Sequence, residues 1–253
     1  MSQPKRILLL DTGNEWGGGT NSMFELLKRL DRERFAVTCC FYKDYRKGRD
    51  GRLLSEELAD IGIPLVLLHP GKQPLWAKLA KEVIRGIFAW SPRLKKMGVL
   101  GVDVQWRIKP RVVALRQALG DGAFELLYMN NQPSSNLEGY LAGEAAGLPV
   151  VQHCRIEPTL QANEVAVVNR VATRIICVSQ GVADVLAAQH VADSRLRVVY
   201  NAIDSRAPLP PAVELPATLN GLVIGTVGQL TARKGVLHLL QAVANLKAEG
   251  LAV

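Results

Sequence analysis

The sequence predicts an α/β protein built on a doubly wound parallel sheet. Short apolar runs of strand length alternate with stretches of helical spacing, and glycine turns stand where a strand hands over to a helix. A hydrophobic content of 48% in 253 residues is ample for a core and excludes disorder.

The first strand is read at residues 7–11, an apolar run closed by Asp11. Residues 21–30 have helical spacing through Met23, Leu26, Leu27 and Leu30. A second strand at 35–41, a helix at 53–61 and a third strand at 64–68 follow. The fourth strand is read at 124–129 and the next helix at 137–146. Strands at 148–154, 174–178 and 196–200 alternate with helices around 165–172 and 182–188. Strands joined by helices pair in parallel, and such a sheet gathers its ligands at the strands' carboxyl ends.

Residues 76–88 form the clearest amphipathic helix. Trp76, Leu79, Ala80, Val83, Ile84, Ile87 and Phe88 make one stripe; Lys78, Lys81, Glu82 and Arg85 make the other face. Two readings stand side by side: a helix covering the sheet, or one lying on a surface. Residues 90–106 contain two isolated glycines, Gly98 and Gly101, and read as a mobile loop. Residues 204–221, with prolines at 208, 210, 211 and 216, read as a linker. The expected organisation is therefore a domain at 1–204, a linker at 205–221, and the start of a second domain at 222–253. The last segment holds one strand (222–227) and one helix (236–246), too little for a core of its own. Its apolar residues are expected to fray or to pair with a second chain.

The net charge is +8, and its location matters more than its size. Residues 72–116 hold eleven Lys/Arg against Glu82 and Asp103, a local balance of +9, with Trp76, Trp90 and Trp106 in the same stretch. Basic charge with tryptophan suits an anionic membrane surface. Nucleic acid ranks lower, because none of its recognition motifs is present. Cys39, Cys40, Cys154 and Cys177 lie in strand-like runs without a C-x-x-C pair, which reads as buried thiols rather than zinc or redox chemistry. Lys5-Arg6 is followed by too short an apolar run for a leader, and the longest uncharged run, 215–232, is broken by proline and glycine. The chain is expected to be cytoplasmic, at most peripheral at the inner membrane face.

Two turns carry chemistry. Gly17, Gly18 and Gly19, then Thr20 and Asn21, lead into a helix, where bare backbone and a positive dipole end suit a phosphate. The pattern is not G-x-G-x-x-G, so a dinucleotide fingerprint is not met. Near the end, an apolar run meets Gly228-Gln-Leu-Thr-Ala-Arg-Lys-Gly235 and a second helix, aiming N–H groups and a cation at one point. His153 falls at the carboxyl end of a strand, with Arg155 and Glu157 at alternating positions beyond it.

Taken in order, four patterns resemble the retaining GT-B-type glycosyltransferases of the group 1, or family-4, class. They are the glycine turn after 7–11; Gly147-Leu-Pro-Val-Val-Gln-His153; Ile176-Cys-Val-Ser-Gln-Gly181 with Arg197-Val-Val-Tyr-Asn-Ala-Ile-Asp204; and the Gly228 to Gly235 turn. The resemblance covers the family's Rossmann-like N-terminal domain and the first strand and helix of its donor domain. It implies hexosyl transfer, with retention, from a nucleotide sugar to a lipid-linked or polysaccharide acceptor of the cell envelope, with no cofactor and no metal. It implies a catalytic or sugar contact for His153. It implies substrate contacts for Gly17, Gly18, Gly19, Asn21, Arg155, Gly228, Gln229, Arg233 and Lys234. Lys234 matches the family's phosphate lysine; Gln229 stands where the family often has arginine, and Ala202 where it usually has glycine. The family's paired glutamates would lie beyond Lys234. The chain alone is thus expected to be a truncated, inactive transferase, or a non-catalytic module binding an acceptor or a membrane. An unrelated α/β enzyme such as an epimerase is the third reading.

Overall fold

The computed structural model describes residues 3–71, 73–202, 206, 208, 211–212, 222–228 and 230–251. The chain divides into two compact units, residues 1–202 and 203–253.

Seven short apolar runs pair as one parallel sheet. They are β1 (Lys5–Asp11), β2 (Phe35–Phe41), β3 (Leu65–Leu67), β4 (Leu126–Met129), β5 (Val150–Cys154), β6 (Ala172–Cys177) and β7 (Leu196–Val198). Their order is β3-β2-β1-β4-β5-β6-β7. The edge strands have three residues each, which leaves little bare backbone for stray pairing. The helices are α1 (Gly18–Arg29), α2 (Leu54–Asp60), α3 (Leu75–Ile87), α4 (Pro92–Asp103), α5 (Lys109–Asp121), α6 (Leu137–Ala145), α7 (Ala162–Val171), α8 (Gln180–Ala188) and, in the second unit, α9 (Val236–Ala248).

Alternation along the strands builds two cores. Leu9, Val37, Cys39 and Phe41 pack on one face against Met23, Phe24 and Leu27 of α1 and Leu54 and Leu58 of α2. Leu8, Leu10, Cys40, Leu127, Met129, Val150 and Ile175 form the other face. There they meet Leu115 and Leu119 of α5, Tyr140 of α6, Val168 of α7, and Val182 and Leu186 of α8. The winding reverses between β1 and β4, and the loops diverging there open a crevice at the carboxyl edge. All four cysteines are buried, and burial pushes the Cys40 and Cys154 thiols up to about 12.

Four expectations change. Residues 90–106 are not a loop. Ser91 caps α4 with Pro92 in its first turn, and the helix passes through a π-turn at Val104–Ile108 into α5. Gly98 breaks nothing: a Cβ there would lie 2.8 Å from Ile84 Cγ2, so the glycine lets α3 and α4 touch. The helix α5, to which no element was assigned, fills the crossover from β3 to β4. The third change lies in the second unit, where residues 222–227 form no strand. An extended segment needs a paired neighbour for its backbone, and none stands among the described residues of that unit. Helix α1 also starts at Gly18 rather than at residue 21, which places Gly18 and Gly19 in its first turn. Most of the expected linker falls outside the described residues. No helix among the described residues is long and apolar enough to cross a membrane.

Candidate functional site

Asp11 ends β1 and is buried, and neutral donors hold its carboxylate. Its carboxylate accepts from Gly13 N at 2.7 Å, from Asn130 Nδ2 at 2.6 Å and from Asn131 Nδ2 at 2.6 Å. A Cβ on residue 13 would stand 2.9 Å from Asp11 Oδ1, so glycine is what lets the loop close on the carboxylate. Asn131 has φ 74°, a left-handed turn that asparagine tolerates better than most residues. Asn136 Nδ2 donates to Asn130 O, and Gln152 Nε2 donates to Asn131 O at 2.7 Å. The Tyr140 hydroxyl donates to Gln152 Oε1 at 3.1 Å. Together these bonds lock the carboxyl ends of β1, β4 and β5.

His153 and Arg155 stand on that frame. Tyr128 Oη lies 2.5 Å from His153 Nδ1, and Arg155 Nη2 lies 3.3 Å from the same nitrogen. Burial first, and the Arg155 charge second, lower the His153 pKa to about 3. Burial raises Tyr128 to about 12, so its hydroxyl keeps its proton. Two donors on Nδ1 and a neutral ring assign the ring proton to Nε2. That Nε2 is buried and has no partner. His153 is therefore a hydrogen-bond donor held ready, not a base near neutrality.

Arg155 is hydrogen-bonded on several sides without meeting a carboxylate. Nε donates to Asn130 Oδ1 at 2.7 Å; Nη1 donates to Ser22 Oγ at 2.6 Å and, more weakly, to Asn201 Oδ1 at 3.4 Å. Burial lowers its pKa from the ordinary arginine value, but a guanidinium stays charged. These neutral acceptors orient the group and leave its charge available to an anion.

Of the residues singled out in the sequence, the fold brings His153, Arg155 and Gly19 together. A Cβ on Gly19 would lie 3.5 Å from Arg155 Cδ. Gly17 and Gly18 have nothing within 4 Å of a built Cβ, so their backbone faces open space. Asn21 is otherwise engaged, its Oδ1 accepting from Trp16 Nε1 at 2.7 Å and tying the loop before α1 to the helix. Glu157 is exposed beyond β5. In the second unit, the stem of Lys234 lies 3.9 Å from a Cβ built on Gly228. Gly235 turns the chain at φ 67° into α9. Gln229 and the Arg233 side chain lie outside the described residues. No group of three His, Cys, Asp or Glu among the described residues is placed to hold a metal ion.

Sequence reasoning missed Tyr128, Asn130, Asn131, Gln152, Ser22 and Asn201. Asn130-Asn131 directly after an apolar strand was a readable signal, since polar pairs at a strand's carboxyl end belong to the ligand edge. Ser22 and Asn201 meet across 179 residues of chain, and no local pattern announces that.

The fold is a Rossmann-like α/β domain of the kind that forms the N-terminal half of GT-B proteins. The family model described as Glycosyltransferase Family 4 matches residues 16–206, and the chain belongs to that family. Among solved structures, the chain is similar to Anabaena HepE crystallised with UDP and glucose. That match has 16% identity and a TM-score of 0.52, covering 79% of this chain and 45% of that one. It is similar also to the apo form of the lipopolysaccharide outer core galactosyltransferase WaaB, at 12% identity and a TM-score of 0.51, covering 84% and 50%. At such identities the likeness is one of fold. The chain spans about half the length of the solved structures it matches. No protein of curated function matches it in sequence.

Proposed function

We propose that this chain forms the acceptor-side half of a glycosyltransferase site, serving retaining transfer of a hexose from a nucleotide sugar to a lipid-linked or polysaccharide hydroxyl. A peripheral place at the anionic inner face of the membrane goes with that reading. The observation that carries it is His153 beside Arg155. A neutral ring offers a buried, unpartnered N–H, and a guanidinium oriented by neutral acceptors keeps its charge, next to the bare backbone of Gly17–Gly19. A sugar hydroxyl suits the first group. A phosphate or other anion suits the second and the N–H groups that open α1. The turn carrying Gly228, Gln229, Arg233 and Lys234 takes the donor diphosphate on its chemistry, its lysine opposing the negative charge that grows on the leaving group.

Ligand-observed NMR with UDP-glucose, UDP and glucose tests this reading. The chain is expected to bind the nucleotide sugar. Arg155→Gln should weaken binding at least about tenfold, the scale of a lost charge-assisted hydrogen bond. His153→Ala should weaken the glucose-moiety contact more than the UDP contact. Equal binding by the unaltered chain and both variants would remove the site from this edge.

A further inference from the structure

Helix α3 is amphipathic in three sectors rather than two. Ala77 is buried, and Ile84 is seated on Gly98 of α4. Lys81, which the sequence places on the charged face, lies in the same contact. Its Nζ bonds Asp103 Oδ1 at 3.0 Å and Gln73 Oε1 at 3.1 Å, and both ends of the ion pair are largely covered. Trp76 stands edge-on to Trp106 at 4.8 Å, closing the hairpin at its other end. The second sector holds Lys78, Glu82 and Arg85. The third is apolar and uncovered: Leu75, Trp76, Leu79, Val83 and Ile87, with Trp90 in the turn after the helix, are each more than half exposed. At 3.6 residues per turn these five helix positions fall on one continuous arc of about a third of the circumference. Soluble surfaces seldom leave so long an apolar ridge bare without a use for it.

We infer that the α3–α4 hairpin docks on an anionic lipid bilayer by laying this ridge into the interface. Charge complementarity decides for the bilayer. The ridge is bordered along one margin by Glu82, Lys78 and Arg85, Arg93 opens the next helix, and residues 75–103 hold six Lys/Arg (Lys78, Lys81, Arg85, Arg93, Lys95 and Lys96) against Glu82 and Asp103, a local balance of +4. Tryptophan at each end of the ridge is the side chain that settles at headgroup depth, with its ring in the acyl boundary and its N–H in water. The inference rests on the membrane reading above and changes its physics. Lys81 is committed to Asp103 and Arg85 is bonded to Glu82, so apolar insertion holds the contact and the remaining cations select the lipid.

Co-sedimentation with phosphatidylcholine vesicles, with and without phosphatidylglycerol, tests it on the unaltered chain and three variants. The unaltered chain should bind the anionic vesicles, with its tryptophan emission shifted to the blue. Leu79→Gln with Val83→Gln and Ile87→Gln should lower vesicle binding at least about tenfold, with the circular dichroism spectrum retained because those side chains are each more than half exposed. Lys78→Gln with Arg93→Gln should reduce the preference for phosphatidylglycerol. Lys81→Gln should lower the melting temperature and leave vesicle binding as it was. Full binding by the triple variant overturns the proposal. So does a self-association of the unaltered chain, seen by sedimentation velocity, that the triple variant abolishes, for the ridge would then be an interface between copies. Nucleotide-sugar binding measured in the same variants should not change, so failure of one proposal is separable from failure of the other.

Discussion

Asp11, Asn130, Asn136 and Gln152 lie wholly inside the protein at the carboxyl edge of the sheet, while Leu75, Leu79, Val83 and Ile87 lie outside it on α3. The first set is polar and satisfied: each side chain bonds a neighbour on another strand or loop, so the edge is rigid before any ligand arrives. The second set is apolar and unsatisfied. Folding alone explains neither. A core of Leu and Val would hold β1, β4 and β5 together with less risk, since buried polar groups are costly unless all are paired. A polar outer face on α3 would keep the hairpin equally well seated on α4. The two regions teach that departures from ordinary burial run in both directions: paired polar groups inside the protein at the edge, bare apolar groups outside it at the hairpin.

The largest test of this contrast is Asp11→Ala. It leaves three donors without their acceptor, and it should lower unfolding free energy by about 3 kcal/mol in urea titrations. A loss below about 1 kcal/mol would mean that the edge is not a framework. Next comes Gly98→Leu, which drives a side chain into Ile84 and should cost about 2 kcal/mol by overpacking. A neutral result would mean that α3 and α4 part easily and that the hairpin is not a fixed unit. The smallest effect at neutral pH belongs to His153. Its folded pKa of about 3 lies below the ordinary histidine value, so the unfolded ring takes up a proton that the folded ring refuses. Its contribution is thus complete above the unfolded pKa and is lost as pH falls from there toward about 3. Stability curves of the unaltered chain and His153→Gln should converge on acidification through that window. Parallel curves would show a solvated, ordinary histidine.

All seven strands of the sheet were legible as apolar runs, but the same signal at 222–227 misled, because an apolar run becomes a strand only where a neighbour pairs with it. Helix α4 was not, because Gly98 has the same appearance whether it breaks a helix or admits a neighbour; only the position of Ile84 tells the two apart. Helix α5 was hidden by its poor amphipathicity, with Val112 and Val113 adjacent and Gly120 and Gly122 at its end. At the carboxyl edge, His153 was read at the end of a strand with Arg155 beyond it, and the fold sets the two side by side. Tyr128, which fixes the ring's tautomer, sits inside β4 where a tyrosine reads as core. The stripe on α3 was seen entire, but its division into a packed and a bare sector depends on α4.

Strand β1 also sets a clock for assembly. It pairs with β2 nearby, but its other side waits for β4, and Asn130 just after that strand reaches Asp11 across 119 residues of chain. During synthesis the β1–β2–β3 half can pair early, while the open flank of β1 stays bare until β4 is made, on the order of ten seconds at usual elongation rates. Contacts so distant in sequence slow folding, and an unpaired central strand is an invitation to a neighbouring nascent chain. The first half of this protein is therefore the part most exposed to mispairing, and a chaperone that shields it for that interval would raise the yield more than one acting after release.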